Sequence, residues 1–90
     1  MLVATKRNWT QHGPNEWDGF GRIFLELDGK KLGHGITMEF IHDLGWDPMT
    51  EETLMDTHEG FVEHWGLKEQ EDIDLLERIF RGIFTIKDDK

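Results

Sequence analysis

The sequence predicts an α+β fold: a small antiparallel β-sheet of two to three strands in the N-terminal half, packed against a C-terminal antiparallel helical hairpin. Three observations carry this reading. Seven of the ten Gly lie in the first half, at positions 13, 19, 21, 29, 33, 35 and 45. That half also holds the one clear run with a two-residue hydrophobic period. The second half has long stretches without Gly or Pro, and there the apolar residues recur at helical spacing.

The strands are read first. Arg22–Leu27 alternates, with Ile23, Leu25 and Leu27 on one face and Arg22, Phe24 and Glu26 on the other. Asp28-Gly29 follows at once, and that pair favours a tight hairpin turn because Gly tolerates positive φ. A return strand then starts at Lys30 or Lys31. Leu32, Ile36, Met38 and Phe40 share one parity, but Thr37 also suits the cap of a short helix ending at Gly45, so residues 36–44 read as either strand or helix. An earlier strand is expected over Leu2–Trp9, and His12–Gly21 reads as a loop.

The helices follow. Asp47-Pro48 suggests an N-cap with Pro at the first helical position, and Glu51 and Glu52 suit the positive end of the helix dipole. Leu54, Met55, His58, Phe61, Val62 and Trp65 form an apolar stripe. Gly66 fits the left-handed residue beyond the helix end, with Leu67 folding back on Val62. A second helix is expected from Lys68 or Glu69, with Ile73, Leu76, Ile79, Phe80, Ile83 and Phe84 on its apolar face. Asp74–Arg78 and Glu77–Arg81 stand at i,i+4 on its exposed side. The short connection predicts antiparallel packing. Residues 1–90 are expected to form a single domain: a β-rich part over 2–40, a two-helix part over 47–84 and a frayed tail over 86–90.

Composition narrows the classes of function. The ten aromatics, four Trp and six Phe, are too many for a disordered chain despite 32% charged residues. No Cys is present, so no disulfide and no thiolate nucleophile or ligand is available. Ser is absent as well, which removes the other common acyl-transfer nucleophile. No phosphate loop or dinucleotide fingerprint occurs. The first residues have no apolar stretch of a secretory signal, and no run is long enough for a membrane span. The expectation is a cytoplasmic, intracellular, non-catalytic protein without cofactor or metal.

The net charge of −9 is unevenly placed. Residues 1–45 hold five Lys/Arg against six Asp/Glu, a net of −1, and residues 46–90 hold five against thirteen, a net of −8. Such a field repels nucleic acid and anionic lipid and attracts basic partners. Within that half Glu52, Asp56, Glu59 and Glu63 stand at i, i+4, i+7 and i+11 and fall within about 60° of one another on a helix. No Lys or Arg lies between Asp47 and Trp65 to offset them. These four acids either form an ordinary solvated face or a negative ridge that docks on a basic protein and mimics nucleic-acid phosphates. The acidic first turn of the second helix (Glu69, Glu71, Asp72, Asp74) argues against a DNA-recognition helix and against direct nucleic-acid binding.

Two further groups are candidates. The loop Pro14–Gly21 carries Trp17 and Phe20, which either anchor a partner or fold over one end of the sheet. The histidines and Glu39 are candidate metal ligands or acid–base groups in an alternative reading: His12, Glu39 with His42, His58 and His64. Glu39 and His42 have Glu-x-x-His spacing, but that motif needs further carboxylates on three other helices. His58 and His64 sit about 240° apart on a helix and cannot share one ion. A third reading is a subunit of a homo-oligomer.

In size, acidity and aromatic content the chain is similar to small inhibitors made by phages and mobile elements, anti-CRISPR and anti-restriction proteins among them, and to immunity proteins. The similarity is one of composition, with no shared motif. It implies binding rather than catalysis. The charge stripe and the loop aromatics, read from the residues themselves, make Glu52, Asp56, Glu59, Glu63, Trp17 and Phe20 the expected partner-binding residues.

Overall fold

The computed structural model describes residues 1–32, 38–39 and 49–86. It is α+β, as expected. Strand β1 runs Leu2–Gln11 and β2 runs Gly19–Leu27. The short strands β3 (Lys30–Lys31) and β4 (Met38–Glu39) follow, and helices α1 (Glu51–Trp65) and α2 (Gln70–Ile83) complete the order. β2 is the centre of the sheet. β1 pairs along one side, while β3 and β4 pair in turn along the other, all antiparallel.

The Asp28-Gly29 turn forms as expected. Asp28 has φ 52 and Gly29 φ 83, so both central residues are left-handed, and the turn closes Leu27 onto Lys30. That twist matches the twist of the flanking strands. β1 and β2 are both longer than predicted. Pairing runs regularly from Leu2↔Leu27 to Arg7↔Arg22 and resumes at Thr10↔Phe20. The extra residue in β1 is absorbed by a bulge, with Asn8 at φ 52. Gly21 makes the bulge fit: a Cβ there would lie 2.6 Å from the carbonyl oxygen of Asn8. Gly19–Gly21 are therefore strand rather than loop, and the loop proper is His12–Asp18. In the region read as strand or helix, Met38–Glu39 is strand, and residues 36–37 and 40–44 lie outside the described residues.

Helix α1 begins later than predicted. Its N-cap is Thr50, whose hydroxyl accepts the Thr53 amide at 3.1 Å; Asp47 and Pro48 precede it and lie outside the described residues. The end is as expected. Gly66 has φ 67, its amide reaches the Glu63 carbonyl, and the Leu67 amide reaches that of Val62 at 3.0 Å. α2 starts at Gln70 behind Glu69. The two helices are antiparallel: Glu51 at the start of α1 pairs with Arg81 near the end of α2, while His58 meets Ile73 midway. Of the two expected i,i+4 pairs, Glu77–Arg81 forms at 2.9 Å. Asp74 instead accepts from Gln70, and Arg78 turns toward Glu16 at 3.7 Å, because the loop before β2 lies beside α2. Ile86 is not frayed: it bridges to Met49, the Met49 amide donates to Thr85, and residues 87–90 lie outside the described residues.

The core lies between the inner face of the sheet and the helical pair. Ile23 and Leu25 from β2, Leu54 from α1, and Leu76, Ile79 and Phe80 from α2 are fully buried. α2 carries most of this packing because its apolar stripe is continuous, whereas the buried residues of α1 are Leu54 and His58. None of the described helices is long and apolar enough to cross a membrane.

Candidate functional site: an acidic helix face

The partner-binding residues expected from the sequence separate into three environments. Glu52, Asp56, Glu59 and Glu63 are all exposed on α1, on the side away from Leu54 and His58. Among the described residues none of their carboxylates takes part in an ion pair or side-chain hydrogen bond. The contrast is with Glu51, one residue away. Its carboxylate accepts two bonds from Arg81, at 2.9 and 2.5 Å, and that guanidinium also meets Glu77 at 2.9 Å. The hydrogen bonds from Arg81 hold the Glu51 carboxyl below its ordinary pKa, and bonds to Glu51 and Glu77 raise that of Arg81. α1 thus has a tethered acid facing α2 and four untethered acids facing solvent. From Glu52 to Glu63 the ridge rises through eleven residue steps, about 16 Å at 1.5 Å per residue.

Trp17 corrects the sequence expectation. It is 6% exposed and belongs to the core, so it is no free anchor. The loop that carries it is tied down. Asp18 O accepts from the amides of His12 at 2.7 Å and Gly13 at 3.2 Å, and the Asp18 carboxylate accepts from Asn15 at 3.2 Å. Trp17 then wedges between β1 and α2. Its ring stands edge-on to Trp9 with centroids 6.4 Å apart, and the Lys6 ammonium lies 4.6 Å from its centroid. Lys6 also donates to the carbonyl oxygen of Glu16. On the other side Gly82 is pressed against Trp17: a Cβ on that glycine would lie 2.3 Å from Trp17 Cβ.

Phe20 keeps its expected exposure, at 42%, and stacks on His12 at 4.9 Å. It stands at the end of the sheet, where β2 begins, and the acidic ridge is on α1.

Among the described residues the candidate metal ligands do not assemble. His58 is buried, Nε2 lies 3.0 Å from the Ile73 carbonyl oxygen, and its ring meets Phe80 edge-on. This is the core histidine its position in the apolar stripe implies. His12 and His64 are exposed, Glu39 lies in β4, and His42 lies outside the described residues. Among the described residues no group of three His, Cys, Asp or Glu side chains could hold a metal ion.

Sequence reasoning missed Asp72. It is 4% exposed, and its Oδ1 accepts the Leu2 amide at 2.9 Å, tying the start of α2 to the start of β1. An aspartate in the first turn of a helix is commonplace, so nothing local to the sequence signals this partner, seventy residues away.

The chain matches no protein-family model, no curated protein and no solved structure.

Proposed function

We propose that this is a small, non-catalytic protein-binding module, of the kind phages and mobile elements use as inhibitors, that docks its acidic α1 face on a basic, nucleic-acid-handling protein. The observation that carries the reading is the state of the ridge. Four carboxylates share one exposed helix face without a counter-ion among the described residues, while the neighbouring Glu51 is neutralised by Arg81. Like charges at i,i+4 each cost a few tenths of a kcal/mol in a helix, so the arrangement lowers the chain's own stability. Its return is steering: a ridge of one sign raises the rate at which a basic surface is met. At about 16 Å the ridge matches the rise of roughly five base pairs, so it stands in for a short stretch of phosphates. Among the described residues Phe20 is an exposed aromatic that can anchor a contact.

Pull-down from a lysate of the cells that make the protein, at low and high salt, tests this. The expected result is a basic nucleic-acid-handling protein retained at low salt and released at high salt. The variant with Lys at positions 52, 56, 59 and 63 is expected to lose it. Retention of the same protein by that variant at low salt refutes the ridge.

A further inference from the structure

Among the described residues, the longest strand edge with unused main-chain groups is the outer edge of β1. Among the described residues this strand pairs with β2 alone, on one side. Two hydrogen bonds set the phase of its ladder. The Asp28 amide donates to the Met1 carbonyl oxygen at 3.2 Å, so Met1 and Asp28 form a hydrogen-bonded pair. By alternation the hydrogen-bonded pairs are then Val3–Glu26, Thr5–Phe24 and Arg7–Arg22. Leu2, Ala4 and Lys6 therefore aim their main-chain N–H and C=O groups away from β2. Leu2 shows this directly, because its amide is taken by Asp72.

The edge is closed at both ends. Asp72 holds Leu2, and the bulge at Asn8 breaks the regular strand at the other end. Between them lies an open window, Val3–Arg7. Its outward main-chain groups belong to Ala4 and Lys6, symmetrically placed about Thr5.

We propose that this window is the pairing surface for a second copy of the chain, antiparallel about a two-fold axis at Thr5, joining two sheets edge to edge. In this register Ala4 faces Lys6 of the second copy, and the two exchange main-chain bonds on both sides of the axis. Val3, 48% exposed, faces Arg7, whose aliphatic stem covers it, and Thr5 faces Thr5. No like charges stand opposite one another. The adjacent registers fail. With Ala4 on the axis, Lys6 meets Leu2, whose amide Asp72 already holds. With Lys6 on the axis, two lysines face each other and Ala4 meets the bulged Asn8. An edge that admits one self-complementary register fits a two-fold dimer.

The dimer opposes the charge of its own chains, each −9, so it tightens as salt rises. Docking through the acidic ridge weakens with salt, which keeps the two interactions apart.

The test is the solution mass by light scattering over a concentration series at low and high salt. The expected mass approaches twice 10.6 kDa at high concentration, and sooner at high salt. Ala4→Pro removes an outward N–H that the sheet does not use, and it is expected to leave a folded monomer. Thr5→Glu puts two carboxylates on the axis and serves where the proline variant does not fold. Thr5→Cys supplies a single thiol to a chain without Cys, and a non-hydrogen-bonded pair brings the two α-carbons to about 4.5 Å, within disulfide reach. Mild oxidation is expected to link two chains. A monomer at every concentration overturns the proposal. So does a dimer that persists in folded Ala4→Pro or Thr5→Glu, or one that Thr5→Cys does not link.

Discussion

Two glycines in the helices should respond oppositely to the same substitution. Gly60 lies in the middle of α1, exposed, and a Cβ there meets nothing within 4 Å. Gly60→Ala therefore gains the helix propensity difference alone, about 0.8–1 kcal/mol. Gly82 lies one residue before the end of α2, where the propensity gain is smaller. A Cβ there would stand 2.3 Å from Trp17 Cβ and 2.5 Å from the Trp17 carbonyl oxygen. Real contacts of this kind open beyond 3.0 Å, so the loop and the helix must part by close to an ångström. Both atoms belong to a segment held by Asp18 and Lys6, so rotation of a side-chain tip cannot relieve the clash. Overpacking of this kind costs about 1–3 kcal/mol and outweighs the propensity gain. Urea unfolding should show Gly60→Ala more stable than the parent and Gly82→Ala less stable. For a domain this size, each kcal/mol moves Tm by about 4–8 °C. Tryptophan emission of Gly82→Ala should shift to the red as Trp17 loosens. A Gly82→Ala variant as stable as Gly60→Ala would refute the claim that Trp17 is clamped by α2.

Three other outcomes are expected. Asp72→Ala leaves the buried Leu2 amide without its acceptor and should cost about 1–3 kcal/mol in urea unfolding, while Asp72→Asn, which keeps an acceptor oxygen, should cost less. Gly66→Ala forces an L side chain into φ 67 and should destabilise by about 1 kcal/mol, read as a fall in Tm. Glu51 has its folded pKa lowered by Arg81, so its contribution is complete above the ordinary glutamate value of 4.5 and is lost as pH falls through the lowered folded value. Thermal melts of the parent and Glu51→Gln should differ at neutral pH and converge in acid. A constant difference across that range would show that the ion pair does not stabilise the fold.

Much of the fold was legible in the residues because it rests on local chemistry. Asp28-Gly29 specifies its own turn, Gly66 ends its own helix, and the stripe from Ile73 to Phe84 names its buried face without reference to anything distant. The register of β1 was less legible. The bulge at Asn8 depends on Gly21 lying across the strand, and no local pattern in the sequence links the two positions. Helix α1 is capped by Thr50 rather than by Asp47 because the residue before Thr50 is bound elsewhere: the Met49 amide donates to the Thr85 carbonyl oxygen.

For the candidate site the division follows the range of the forces. The spacing of Glu52, Asp56, Glu59 and Glu63 with no intervening cation was sufficient to place four charges on one helix face, because helical periodicity is local. Whether each carboxylate finds a partner depends on what packs alongside. Glu51 and Glu52 are adjacent and chemically identical, yet the antiparallel return of α2 brings Arg81 to the first of them. Trp17 and Phe20 read alike as loop aromatics, three residues apart, until α2 offers a glycine at position 82 for one of them to lie against. Periodicity, turn chemistry and charge pattern are properties of neighbours in the chain, so the sequence by itself determined the class of fold and the location of the acidic face. Burial and pairing are properties of neighbours in space, so only the tertiary structure decided that Trp17 belongs to the core, that Asp72 ties the sheet to the helices, and that no described strand pairs along the outer edge of β1 between Val3 and Arg7.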